Sequence, residues 1–594
     1  LKTHHRCHFF FKPITGNFVS LRRETSMQAK QNLKLKFSLM AVLLLLLLPL
    51  PANAGHGGSG SPELAVVGQL NLGVPGENIT DVWAYGNYAY LGTFDEGACS
   101  LDYTGVHIVD ISNPAAPQKV AFIPAKPGAR NNDVKVAHLE TEHFSGEVLV
   151  ASNEACGSPF LPRREAKGGR QIPGQNGVTI WDVTNPRKPK PLKQNFLNFD
   201  VHNTYIYQQG SNAYMLVVDD INVQDVHIVD LTKPQSPKEI AVTGQLDWPS
   251  DIDNIGDGEV FLHDVWVQEN GGRYIAYLSY WDAGLVLLDV TDPTNPLFLG
   301  DSDYLYPDPL SGEDPEGNSH VSVPNANGSR VLMGDEDFAA GSLTSFTFDG
   351  TPYPAAEGGF TVPVYSLPGS AFSGPIVWTG GEGCTTGAIP AAPDPTAVAL
   401  IQRGTCFFQD KAEAAFAQGY AGFVVANDAA RGDALITMAA RDAGPYPPIP
   451  GVFVGFSTGE AMKGAGVGNL GGTVAMTGIF DGYGYLRLLD VSDPGNITEL
   501  AQFATENVFA NPPVPGDRTM HNVVVDGGSR AYISWYAEGM RVVDFSGDSL
   551  SEVAHFVAGD GSNFWGVYLH HHPNGNTYIL GSDRRTGLWI FANP

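Results

Sequence analysis

Four histidines of this 594-residue chain recur at the same point of successive repeats: His202, His263, His320 and His521. Each opens a run of alternating apolar residues, as in His263-Asp-Val-Trp-Val267 and His521-Asn-Val-Val-Val525. Neutral imidazoles drawn from several segments to one place suit zinc, copper, iron or nickel. The next runs along the chain end in acids, at Glu154, Asp219, Asp282, Glu336 and Glu538. A carboxylate beside such an imidazole fixes its tautomer by accepting from the other ring nitrogen. The expected site is one transition-metal ion on His202, His263, His320 and His521, with those five acids behind the ligands. The opposing reading is that the histidines bond the backbone or a carboxylate and hold the fold together.

The elements that must position these residues follow from a repeat. Val106-His-Ile-Val-Asp110-Ile-Ser-Asn-Pro114 returns at 178–186, 226–234, 285–293 and 486–494, and without the proline from Met540 to Ser546. Gly587-Leu-Trp-Ile-Phe591 is a truncated seventh copy. Upstream of each copy, two alternating runs flank a tight-turn signal such as Gly86-Asn87 or Asp526-Gly-Gly528. Downstream, Asp-x-Ser/Thr-x-Pro offers short polar side chains to the amides of a turn. A fourth run follows, such as Gln118–Phe122. Each unit is therefore a four-stranded antiparallel meander of about 45–55 residues, the size of a propeller blade. Seven units fit, and Leu64–Leu70 can supply the strand that the last one lacks, removing the open edge. First strands line a propeller's channel, so Asp81, Asp133, the four histidines and Trp565 should meet at one mouth.

The repeated motif resembles the LVIVD-repeat family over residues 64–345 and 479–594. The resemblance implies an extracytoplasmic β-propeller and no assigned activity, since a propeller alone decides nothing about function.

Successive motif aspartates lie 72, 48, 59, 201 and 54 residues apart, so the fifth blade carries an insertion. It falls between the second and third strands, on the face where the first strands begin, and should cap or flank that mouth. Within it, Ala399–Gly419 reads as a buried strand, a turn and an Ala-rich helix, followed by the strand Gly422–Asn427. Arg403, Gly404, Cys406, Phe408, Lys411, Ala415, Gly419 and Asn427 resemble the protease-associated (PA) domain over about 355–478. Gly419-Tyr420-Ala421 stands where that family usually has Gly-Ala. The resemblance implies a non-catalytic module that binds peptides or proteins, or gates a neighbouring site. The fold class expected is mainly β: a seven-bladed propeller of four-stranded antiparallel blades with an inserted α/β PA domain. Its segments are blades one to five at 55–350, the PA domain at 355–478 and the remaining blades at 479–594.

Composition narrows the partners. Gly 69 and Pro 42 fit many turns and short strands. A net charge of −28 argues against a nucleic-acid binder and against docking on anionic lipid, and favours a soluble monomer. Lys30, Lys34 and Lys36, the apolar run Phe37–Leu50 and Ala52-Asn53-Ala54 read as a signal peptide over 27–54. Residues 1–26 precede that start at Met27 and are read as a gene-model extension. The mature protein is then expected outside the cytoplasm, secreted or periplasmic, without a membrane span. Four cysteines remain beyond the leader, and export favours disulfides among them. Four cysteines allow three connectivities. Position in the repeats favours Cys99 with Cys156, and Cys384 with Cys406 inside the insertion.

Weaker motifs also stand out. Asp251–Glu259 looks like an acidic surface loop more than a calcium loop. His570-His571-His572 precedes a turn at the opposite mouth, and alternation sends His571 away from its neighbours. Gly455-Phe-Ser457-Thr-Gly459 matches G-x-S-x-G but reads better as a helix start. The leading expectation is recognition of a protein or peptide by the propeller face and PA domain together. The alternative is a metal-dependent oxidoreductase or hydrolase centred on the four histidines and gated by the PA domain.

Overall fold

The structure is a computed structural model. It describes residues 55–57, 61–94, 100–155, 176–219, 222–248, 260–302, 317–441 and 444–594, together with 304, 307, 312 and 315. The leader, Cys99, Cys156 and the acidic loop 251–259 lie outside the described residues.

Seven antiparallel blades form a propeller. Their first strands are Ile79–Tyr85, Val134–Glu140, Thr204–Gln209, Leu262–Asn270, Ser319–Pro324, Asn522–Val525 and Phe564–His571. Each packs beside the first strands of both neighbouring blades, so the seven close around an axis. The ring is sealed by Val66–Leu70, which pairs antiparallel with Gly587–Ala592 as the fourth strand of blade seven. Gly55–Gly57 adds a parallel edge to the outer strand of blade five.

The repeated motif does two jobs. In all six full copies the aspartate Oδ1 accepts the amide two residues on: Ser112, Thr184, Thr232, Thr291, Ser492 and Ser546 donate at 2.9–3.0 Å. The resulting turn then docks on the previous blade. A Cβ on Gly300, in the outer strand of blade four, would lie 1.7 Å from the Pro494 carbonyl oxygen of blade five. One on Gly68, in the closing strand, would lie 2.1 Å from that of Pro114 in blade one. These glycines let a neighbouring backbone approach where a side chain would collide. Apolar residues of adjacent blades interdigitate between the sheets, as where Leu580 and Ile590 of blade seven meet Val82 and Leu91 of blade one.

Blade five is interrupted as expected. Its second strand, Arg330–Asp335, pairs directly with Leu486–Asp490, and the insertion leaves between them. The inserted sheet has eight strands in the described residues. Its central strands, Val398–Gln402, Gly422–Ala426 and Gly451–Val454, run parallel, and helices Phe408–Ala417 and Phe456–Met462 accompany them. The sheet starts earlier than the expected 355, because Ser342–Phe348 pairs with Leu470–Ile479 and, among the described residues, with nothing in blade five. No helix among the described residues is long and apolar enough to cross a membrane.

Where the insertion departs, a charge is buried. Arg487 is 1% exposed. Its Nε donates to Asp335 at 2.6 Å, its Nη1 to both Glu499 oxygens at 3.1 and 3.2 Å, and its Nη2 to Tyr485 Oη at 2.9 Å. Removing one partner of such a group strands the others, at a cost of about 3–5 kcal/mol. Arg487→Ala is expected to destabilise the protein by that amount, read as a lower urea midpoint with an unchanged denaturant slope.

Candidate functional site

The four histidines meet at one end of the channel as a continuous arc. Ring centroids are 4.5 Å apart for His202 and His263, 4.1 Å for His263 and His320, and 4.2 Å for His320 and His521; Trp565 continues the arc at 4.3 Å from His521. A local device aims several of these residues. The pairing of first and second strands skips one residue between Leu262 and Asp264, Ser319 and Val321, and Phe564 and Gly566. His263, His320 and Trp565 are those skipped residues, each at a β-bulge that turns a side chain out of the ladder. Second-strand serines take up disturbed backbone groups. Ser582 Oγ accepts from Gly566 N at 2.9 Å, and Ser534 Oγ donates to the Trp565 carbonyl at 2.6 Å.

The acids divide into two sets. Glu154 and Glu336 reach the arc. Glu154 Oε1 stands 2.6 Å from His202 Nδ1 and also pairs with Arg130. Burial opposes the charge, but Arg130 and His202 outweigh it and hold Glu154 well below the usual carboxylate range. Glu336 lies between two imidazoles, its Oε2 3.6 Å from His320 Nε2 and its Oε1 3.7 Å from His521 Nε2. Tyr536 donates to Oε1 at 2.6 Å. Burial, with His320 nearby, pushes His521 well below the ordinary imidazole range, so it is neutral at pH 7.

Asp219 and Glu538, expected beside the histidines, turn into their own blades instead. The residue after the first apolar position of the repeat motif captures them. His227 Nε2 lies 3.7 Å from Asp219, with Nδ1 on Glu239 at 2.5 Å. Arg541 bonds Glu538 at 3.1 Å and Glu552 at 3.0 Å, as Arg487 bonds Asp335 and Glu499. Asp282 is buried against the backbone of Gly317. Strand alternation makes the division: Asp335 faces the blade interior, and Glu336, one residue on, faces the arc.

The other side of the channel holds a buried lysine that the sequence reading missed. Lys135 Nζ pairs with Asp133 and, at 2.9 Å, with Asp81. Burial lowers its affinity for the proton, but Asp133, Asp81 and Asp264 outweigh that and hold it well above the ordinary lysine range. Burial lifts Asp81 and Asp264 to about 7 against the pull of Lys135. A small cavity between the arc and this cluster is lined by His202, His320, His521, Trp565, Asp81 and Lys135 among others. It has room for a water or an ion.

The weaker motifs are structural here. His570 and His572 bond the carbonyls of Gly86 and Ile111 in blade one, and His571 is exposed. Ser457 sits in the first turn of its helix, with its amide on Asp433. The residues that carry the PA resemblance hold the insertion's own loops. Arg403 bonds Asn427 and stacks over Phe408 and Phe453, and Lys411 bonds the Glu382 carbonyl at 2.5 Å. A Cβ on Gly404 would strike Glu382, and Gly419 has a φ of +84° after the helix. Cys384 and Cys406 form a disulfide. The insertion leaves the propeller at the histidine end: Glu336 follows directly on the second strand, and Phe338 packs on Tyr536 at 5.4 Å.

Comparison with known proteins agrees with these parts. Residues 77–121 and 262–303 match the LVIVD repeat, and residues 372–462 match the PA domain. Among curated proteins none matches this chain. Solved structures with similarity include a zinc aminopeptidase from Bacillus subtilis (16% identity, TM-score 0.21, 27% of this chain). This chain spans 36% of that enzyme's length. An exo-β-1,3-galactanase from Phanerochaete chrysosporium matches at 12% identity and TM-score 0.29, over 46% of this chain and 60% of its own. The computationally designed Ika8 protein matches at 9% identity and TM-score 0.34, over 90% of this chain and 100% of its own. Likeness at this level carries nothing about activity.

One buried acid near Asp219 gives a pH signature. Burial lifts Asp225 to about 8, although Tyr280 bonds it at 2.6 Å. A raised folded pKa means the folded state holds a proton that the unfolded chain releases near pH 4. This contribution is full below about pH 4 and is lost as pH rises to about 8. Relative to Asp225→Asn, the wild type should lose on the order of 1 kcal/mol per pH unit between pH 5 and 8, then level off. Urea melts of both proteins across that range read it.

Proposed function

We propose that this propeller of LVIVD repeats with an inserted PA domain recognises proteins or peptides outside the cytoplasm. The observation that carries the reading is the PA match at 372–462 on an insertion rooted beside the histidine arc. The two modules together fit a protein-recognition role. A protein partner would engage the outer surface of the chain. The inserted sheet offers an apolar patch there, at the end of its strands: Val467 is 58% exposed and Leu470 48%, next to the half-buried Trp378. Exposed apolar and aromatic groups side by side suit the apolar side chains of a bound peptide. The Cys384–Cys406 disulfide and the leader-like segment support export, with a mature chain from Gly55.

The test is peptide-display selection on the full chain from residue 55, followed by fluorescence anisotropy on the peptides it enriches. Val467→Asp with Leu470→Asp should weaken binding at least tenfold, about 1.4 kcal/mol, and leave the thermal midpoint unchanged. Enriched peptides that bind the double variant equally well would remove this patch from the reading, and no enrichment at all would remove the reading. N-terminal sequencing of exported protein should begin at Gly55.

A further inference from the structure

We propose that His263, His320 and Glu336 form a site for one divalent late first-row transition ion, distinct from any peptide-binding surface. All three are buried, and one donor atom of each lies within 4.8 Å of the others. The decisive quantity is the spacing of the donors. His320 Nε2 and Glu336 Oε2 are 3.6 Å apart, too far for a hydrogen bond. Ligands 2.0–2.1 Å from a tetrahedral zinc stand about 3.3 Å from one another. This pair is therefore close to coordination spacing, whereas His202 and Glu154, at 2.6 Å, are plainly hydrogen-bonded.

Neighbouring groups prepare the donors. His263 Nδ1 lies 3.1 Å from the His320 carbonyl, which can only accept, so the proton sits on Nδ1 and Nε2 carries the lone pair. That is the usual tautomer control behind a metal-bound imidazole. Tyr536 occupies Glu336 Oε1, and the Glu336 amide is fixed on the Asn318 carbonyl at 2.9 Å. Oε2 is thereby presented as a single carboxylate donor. The bulges at His263 and His320 supply the backbone geometry. Two imidazoles and one carboxylate are a donor set for zinc or ferrous iron in sites that keep a position open. Of the three donors, His320 also lines the adjoining cavity, which has room for a water. The arrangement expected from sequence, four imidazoles around one ion, placed Glu336 behind the ligands, whereas here its Oε2 stands at ligand distance from His320 Nε2.

The experiment uses the untagged chain from residue 55, purified without chelators and titrated with Co²⁺ in excess Mg²⁺ to saturate surface carboxylates. One Co²⁺ per chain with visible ligand-field bands, displaced by Zn²⁺, is expected. His320→Gln and Glu336→Gln should weaken binding more than about 100-fold, and the exposed His571→Ala should leave it unchanged. X-ray absorption of Co²⁺-loaded wild type gives a reading that needs no variant, with two imidazoles and a carboxylate oxygen expected. Folded wild type without stoichiometric Co²⁺, variants that bind normally, or four imidazoles in the absorption spectrum would each overturn the proposal.

Discussion

Everything that faces the channel depends on the ring being closed, and Val66–Leu70 closes it on Gly587–Ala592. Without that pairing blade seven would present a bare strand edge, and no constraint would hold the first strands around a common axis. Closure sets where the seven strand openings stand. The Asp-x-Ser/Thr-x-Pro turns set the spacing, because each aspartate folds its turn and the turn rests on the blade before it. Gly68 and Gly300 show how tight that contact is. The motif that marks the repeat is thus a spacer between blades more than a feature of any one blade.

Within that frame, small backbone events select which groups meet. The bulges at His263 and His320 put two imidazoles on one side of the carboxylate of Glu336, and Tyr536 orients that carboxylate from behind. The same alternation that sends Glu336 to the arc sends Asp335 to Arg487. Two networks of different character therefore sit one residue apart: a charged, fully paired one inside blade five, and one of imidazoles around an acid at the channel. The strength of the first keeps the backbone of the second in place.

Much of the architecture was legible because the repeat advertises itself. The six aspartate turns, the spacing of 201 residues that betrays the insertion and the displaced closing strand all follow from reading the chain against itself. The histidines were legible for the same reason. Their acidic partners were not, since nothing local distinguishes Glu336 from Glu538. The difference lies in strand register and in an arginine or histidine on the next strand. Asp219 and Glu538 are claimed by His227 and Arg541, residues that read only as variable positions of an apolar motif. Bulges leave no mark in composition, and Lys135 looked like one more polar residue of an alternating strand. The start of the insertion was misplaced for a similar reason: Ser342–Phe348 alternates as well as any blade strand, and only its pairing with Leu470–Ile479 assigns it.

The way the insertion joins blade five bears on how such a chain can arise and be tolerated. Asp335 and Tyr485 are hydrogen-bonded to each other, and the first and last strands of the inserted sheet are paired soon after. Loop-closure entropy grows only logarithmically, by about 0.6 kcal/mol per doubling of length. A connection stretched from turn length to residues 336–485 would cost on the order of 3 kcal/mol as a random coil. A folded insert whose ends already lie side by side avoids most of even that. The propeller therefore meets this segment as it would meet a hairpin turn. Evolution can enlarge, exchange or lose the inserted unit while the ring keeps the same closure problem, so long as the residues rooted beside the histidines stay with the blade.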